Sequence, residues 1–148
     1  MKWVYRISII LHVFLGIGGM AGGLAAITDP IKPLGISAAE TLKNSPFDNF
    51  LIPGILLFTV IGLGNLFGAV MFRFKTKYQA YISGVLACGL MIWIIVQCIM
   101  ILAIHALHII FFGYGLVQGL LAAAMLFEKK LFPADIITEI YKKMTKSV

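Results

Sequence analysis

From Tyr78 to Phe127 the sequence runs for fifty residues without an Asp, Glu, Lys or Arg. One helical crossing of a bilayer core takes roughly 20 apolar residues, so this stretch alone is long enough for two. No soluble domain could hide it. Such domains carry about a quarter charged residues, whereas this chain of 148 residues is 61% hydrophobic and 12% charged, with a mean hydropathy of +1.01. The pattern excludes a soluble globular fold. It predicts an all-α, four-helix transmembrane bundle in a single domain, followed by a C-terminal amphipathic helix. The spans are expected at about 4–27, 50–72, 80–103 and 108–127, with an outer loop at 28–49 and a tail at 128–148. The first apolar run, with Lys2 and Arg6 before it and small residues near Ala25, has the outline of a secretory signal. It is longer than a signal h-region, so a retained span is expected.

Basic residues set the expected orientation. Lys2 and Arg6 precede the first span, Arg73, Lys75 and Lys77 fill the link between the second and third, and Lys129, Lys130, Lys142, Lys143 and Lys146 follow the fourth. Ten of the twelve Lys and Arg therefore fall on one side, and only Lys32 and Lys43 on the other. The positive-inside rule places both termini in the cytoplasm. The net charge of +6 is then a topology signal, and no nucleic-acid partner is expected.

In the outer loop, Pro30 and Pro33 stiffen the start, Ser37 and Glu40 form a capping-box pattern ahead of Leu42, and Ser45-Pro46-Phe47 turns the chain back. Pro53 falls in the first turn of the second span, where its missing N–H costs little. The third and fourth spans are joined around His105-Ala106-Leu107-His108, which implies a tight helical hairpin. In the tail, Ile136, Ile137, Ile140, Tyr141 and Met144 recur at helical spacing, with Asp135, Glu139, Lys142, Lys143 and Lys146 between them. Two uses are open: an amphipathic helix on the anionic inner leaflet, or a charged tail that only fixes topology.

Glycines four residues apart recur in the spans: Gly18/Gly22, Gly19/Gly23, Gly64/Gly68 and Gly115/Gly119. Between helices in lipid, small residues permit the close backbone approach that supplies much of the packing energy. They serve packing within one chain or a seam between copies, the latter best placed on the glycine-dense first helix. Cys88 and Cys98 share one helix, roughly 15 Å apart by rise, and read as small apolar residues rather than a disulfide.

Polar side chains at depth are costly in a bilayer and so point to function more than any others. At about 1.5 Å of rise per residue, His12 lies roughly 10–12 Å in from the cytoplasmic end of the first span. Asn65 and Gln118 count to a similar depth, and Ser8 and Ser83 to a shallower one. An inner polar layer of His12, Asn65 and Gln118 is expected. A second layer forms near the outer face from Gln97, His105 and His108, with Gln97 and His108 in reach of a hydrogen bond across the hairpin. Trp93 lies near the middle of the third span, as core packing or as part of a ligand-facing wall. Either layer can hold the helices in register, at roughly 0.6–2 kcal/mol per bond, or line a cavity for a lipid headgroup, quinone or other small amphiphile. A proton or ion path is disfavoured because no Asp, Glu, Lys or Arg lies deep in any span. His12 and the His105/His108 pair differ in depth, which argues against a bis-histidine haem or a three-histidine metal site. No cofactor is expected, and no nucleophile is paired with a base.

Ser45-Pro46-Phe47 through Leu51-Ile52-Pro53-Gly54, Trp93-Ile94 with Gln97 one turn later, and Leu107-His108 followed by Phe111-Phe112 and Gly115 occur in order. Together they resemble a widespread family of small four-helix bacterial integral membrane proteins. In that family an SPF-type turn and an IPG open the second helix, a WI pair with Glu or Gln follows in the third, and an LQ..YF..G pattern opens the fourth. The resemblance covers about half the chain, from about Ser45 to Gly119. It implies the fold and a bacterial plasma membrane, without an activity. His108 stands where the family usually shows Gln, a departure that would let this member respond to pH. The combined expectation is a small non-enzymatic membrane protein that binds lipid or a membrane-protein partner, as a homo-oligomer. The alternatives are a carrier of a small amphiphile and, third, an enzyme acting on lipid or quinone.

Overall fold

A computed structural model describes residues 2–74 and 76–146; Met1, Lys75 of the basic link and the last two residues of the tail lie outside them. All regular structure among the described residues is helical. Four helices are long and apolar enough to cross a membrane: α1 (Lys2–Thr28), α3 (Leu51–Phe74), α4 (Gln79–Ile101) and α5 (Ala106–Glu128). Two shorter ones are α2 (Ala38–Thr41), in the segment between α1 and α3, and α6 (Ala134–Lys146) after α5. Val4, Phe72, Ala80 and Met125 meet in one cluster, which brings the start of α1, the end of α3, the start of α4 and the end of α5 together. Neighbouring helices thus alternate in direction. One end of the molecule, here the termini end, carries the start of α1 and the end of α5, and the other carries the 28–50 segment.

The burial pattern is the reverse of a water-soluble protein. Ser8, His12, Asn65, Ser83 and Gln118 are fully buried, while Ile10, Ile17, Val85, Ile92, Ile109 and Leu120 are each at least 60% exposed. Water would penalise so large an apolar exterior, and hydrocarbon would not.

Glycine brings α1 and α3 into backbone contact. A Cβ on Gly19 would stand 2.8 Å from the Gly62 nitrogen, and one on Gly23 would stand 2.6 Å from the Phe58 nitrogen. Across the α4–α5 hairpin the fit is looser: a Cβ on Gly115 would meet the Met91 side chain at 2.7 Å, and one on Gly119 would reach Ala87 at 3.7 Å. Gly64 packs beside Leu86, and Gly68 receives the His12 ring. Gly19 and Gly23, the densest part of the seam expected between copies, are therefore occupied within the chain.

Helix α3 is not uniform, as Leu57–Leu63 winds as a π-helix. The Thr59 hydroxyl donates to the Ile55 carbonyl at 2.7 Å, and the Asn65 amide donates to the Ile61 carbonyl at 2.8 Å. Side chains that take backbone carbonyls, beside a glycine pressed against α1, favour this wider turn. The π segment re-aims α3, so that Leu57 and Ile61 face a cavity at the loop end while Asn65 faces the centre.

The segment between α1 and α3 is a folded cap. Phe50 N–H donates to the Pro30 carbonyl and Ala38 N–H to the Ile31 carbonyl, at 2.8 and 2.9 Å. The Ser45 hydroxyl accepts from Phe47 N–H, and Phe47 and Phe50 pack with Ala38 and Leu42 on Met100 of α4. The Ser37–Glu40 capping box does not form: Ser37 is the N-cap of α2, but its side chain makes no cap bond to this four-residue turn. Just ahead of α3, the Asn49 side chain closes a local turn, accepting from Leu51 N–H at 2.9 Å. Helix α4 stops two residues before its expected end because Leu102 turns to a left-handed φ of 51°. Beyond α5, α6 exposes Ile136, Ile137, Ile140 and Tyr141 as well as Asp135, Glu139, Lys142 and Lys143.

Candidate functional site

Each of the four long helices sends one polar side chain to a common centre nearer the termini end. His12 Nδ1 lies 2.8 Å from Asn65 Oδ1, and His12 Nε2 lies 3.0 Å from the Ser83 hydroxyl. Because the Asn65 amide nitrogen donates to the Ile61 carbonyl, its oxygen faces the ring, so Nδ1–H is the donor there. Nε2 is then left to accept from Ser83. Gln118 Nε2 donates to Asn65 Oδ1 at 3.2 Å and lies 3.2 and 3.4 Å from the two ring nitrogens. A position nearly equidistant from both nitrogens follows neither lone pair, so Asn65 is the better-aimed partner.

His12, Asn65 and Gln118 thus meet as depth counting placed them, and Ser83 joins them. Ser8, one turn before His12, is fully buried, and among the described residues neither its hydroxyl nor the Gln118 carbonyl oxygen has a hydrogen-bond partner. Toward the termini end the ring rests on Phe72, with centroids 5.6 Å apart. On the opposite side Leu15, Ile61, Leu90 and Ile94 form a buried apolar layer.

Beyond that layer, toward the loop end, is a cavity of about 650 Å³. Leu15, Gly18 and Gly22 form its α1 wall and Leu57 and Ile61 its α3 wall, with Pro33, Leu34 and Ile36 of the cap as a roof. The remaining walls hold Trp93, Gln97, His105 and His108, all four residues expected to face a ligand. The bond expected between Gln97 and His108 is absent. His108 is the third residue of α5, and its Nδ1 accepts from the N–H of His105, the helix N-cap, at 3.1 Å. Local capping outcompetes the cross-hairpin contact, and the Gln97 amide makes no hydrogen bond among the described residues. The Trp93 indole N–H is also buried without a partner. The imidazole rings of His105 and His108 are tilted against each other, 5.6 Å between centroids.

The cavity also depends on residues that sequence patterning did not assign to a site. Gly18 has no atom within 4 Å of where its Cβ would be, so the missing side chain is space rather than contact. Pro33, Leu34, Ile36 and Phe50 enter only because the cap folds back over the helices. Among the described residues no three His, Cys, Asp or Glu side chains gather as a metal site, and Cys88 and Cys98 are free thiols on α4. No family model, curated protein or solved structure matches the chain, so its chemistry alone must carry the functional reading.

Proposed function

We propose that the chain is a small non-enzymatic integral membrane protein that holds one lipid-like amphiphile in the cavity at the loop end. The observation that carries this reading is the convergence of Trp93, Gln97, His105 and His108 on one apolar space of about 650 Å³, within the usual range for small-molecule sites. Polar groups that only hold helices together would pair with one another, and Gln97 does not. In this reading the apolar exterior faces lipid, and both termini, with most of the basic residues, face the cytoplasm. The cavity then lies in the outer half of a bacterial plasma membrane, in keeping with the resemblance noted in the sequence. Helix α6 rests on the inner leaflet, its isoleucines toward the acyl boundary and its lysines toward anionic headgroups. Any self-association uses outward faces such as those around Gly89 and Gly113, where an added Cβ would meet nothing. Binding is favoured over carriage because the buried layer of Leu15, Ile61, Leu90 and Ile94 closes the cavity toward the other polar layer.

Gly18→Trp tests the reading. The substitution enters open space on the cavity wall, so the fold should survive while the cavity fills. Native mass spectrometry from mild detergent should show a retained lipid-sized mass on the parent chain and its loss in the variant. Equal retention by both would remove the cavity as the site.

A further inference from the structure

The donors and acceptors on the cavity wall are unevenly matched. Trp93 lines the wall with its ring, while its indole N–H is covered and turned away from the open space. His108 Nδ1 accepts from the His105 amide, which leaves the ring proton on Nε2, a donor with no partner among the described residues. Gln97, one turn beyond Trp93 on the same helix, adds an unengaged amide. Among the described residues no Asp, Glu, Lys or Arg lines the space. A phosphate or ammonium head would therefore enter a low-dielectric site without a counter-charge, whereas neutral oxygen acceptors would find donors waiting. Across the cavity, Leu15, Gly18, Gly22 and Leu57 offer only apolar surface.

We infer that the occupant is a neutral amphiphile whose carbonyl-type oxygens lie against the Gln97 amide and the His108 Nε2–H, with its apolar body along α1 and α3. The inference rests on the cavity reading above and adds the chemistry of the head. Two sources share that chemistry, the ester carbonyls of a glyceride and the ring carbonyls of a quinone.

The full chain in mild detergent is challenged with dioctanoylglycerol and decylubiquinone. The controls are octadecene, which has no polar head, and dioctanoyl phosphatidylglycerol, which has a charged one. Native mass spectrometry reads retention. At least one carbonyl probe should be held about tenfold more tightly than either control, and the probe retained identifies the source. Gln97→Leu should weaken that probe about 5-fold, the worth of one neutral hydrogen bond, without changing octadecene. Octadecene held as tightly as the carbonyl probes, with Gln97→Leu unchanged, would overturn the head chemistry and leave the cavity reading standing. Preference for phosphatidylglycerol would overturn it as well. Retention of nothing by the parent chain, with Gly18→Trp indistinguishable from it, would remove both readings.

Discussion

His12 and His108 are both imidazoles on apolar helices, each with side-chain amides on neighbouring helices, yet they end in different company. Both nitrogens of His12 are engaged, by Asn65 of α3 and Ser83 of α4, with Gln118 of α5 against the ring. His108 spends one nitrogen on its own helix start, and the rest of its surroundings is a cavity. Glycine makes much of the difference. Gly68 admits the His12 ring, whose nearest atoms would lie 2.9 Å from an added Cβ, whereas Gly18 admits nothing. The same residue type closes one layer and opens the other. A polar side chain inside an apolar helix is therefore a weak indicator by itself, and whether the facing helix fills the gap decides its use.

The sharpest way to break this comparison is His12→Leu. It would strand the Ser83 hydroxyl and leave the Asn65 oxygen with the Gln118 amide as its one remaining donor, at a cost of about 2–4 kcal/mol. Thermal unfolding in detergent measures it, and a loss under about 1 kcal/mol would mean that the inner layer does not hold the helices. Gln118→Leu should cost less, about 1 kcal/mol, because its carbonyl oxygen is already unpartnered. Gln97→Leu should leave stability within about 0.5 kcal/mol, since no protein hydrogen bond is lost. A melt as damaged as that of His12→Leu would return the outer layer to structure and erase the contrast. Removing residues 134–148 should change neither layer. Its effect should be confined to the lipid surface: amides of α6 in the intact chain should exchange more slowly in phosphatidylglycerol nanodiscs than in phosphatidylcholine ones. Equal exchange would leave the tail as a topology signal alone.

Much of this architecture is legible in the sequence because hydrocarbon imposes length and polarity so strictly. The apolar runs imply four long helices, and four helices long and apolar enough to cross a membrane are present. Counting rise brings His12, Asn65 and Gln118 to one depth, but it places Ser83 too shallow. Counting assumes that helices begin flush, and α4 does not. Its first residues, Gln79 and Ala80, are already buried among the ends of the other helices, so a short count along α4 reaches the same centre. The outer cluster of Trp93, Gln97, His105 and His108 follows from the hairpin and its spacing. The cavity does not, because its roof depends on Phe47 and Phe50 packing against Met100, a contact between distant parts of the chain with no periodic trace. Nor does the π segment, which arises from side-chain bonds to Ile55 and Ile61 carbonyls that spacing cannot foretell.

The apolar layer of Leu15, Ile61, Leu90 and Ile94 between the two polar layers has an electrical consequence. Moving one elementary charge through 100 mV releases about 2.3 kcal/mol, so any wet thread across an energised bilayer becomes a leak. Here the imidazole and amides on one side are parted from those on the other by four closely packed aliphatic side chains. On the proposed reading a single copy is therefore an insulator, and an amphiphile can enter and leave the chamber at one face without short-circuiting the membrane around it.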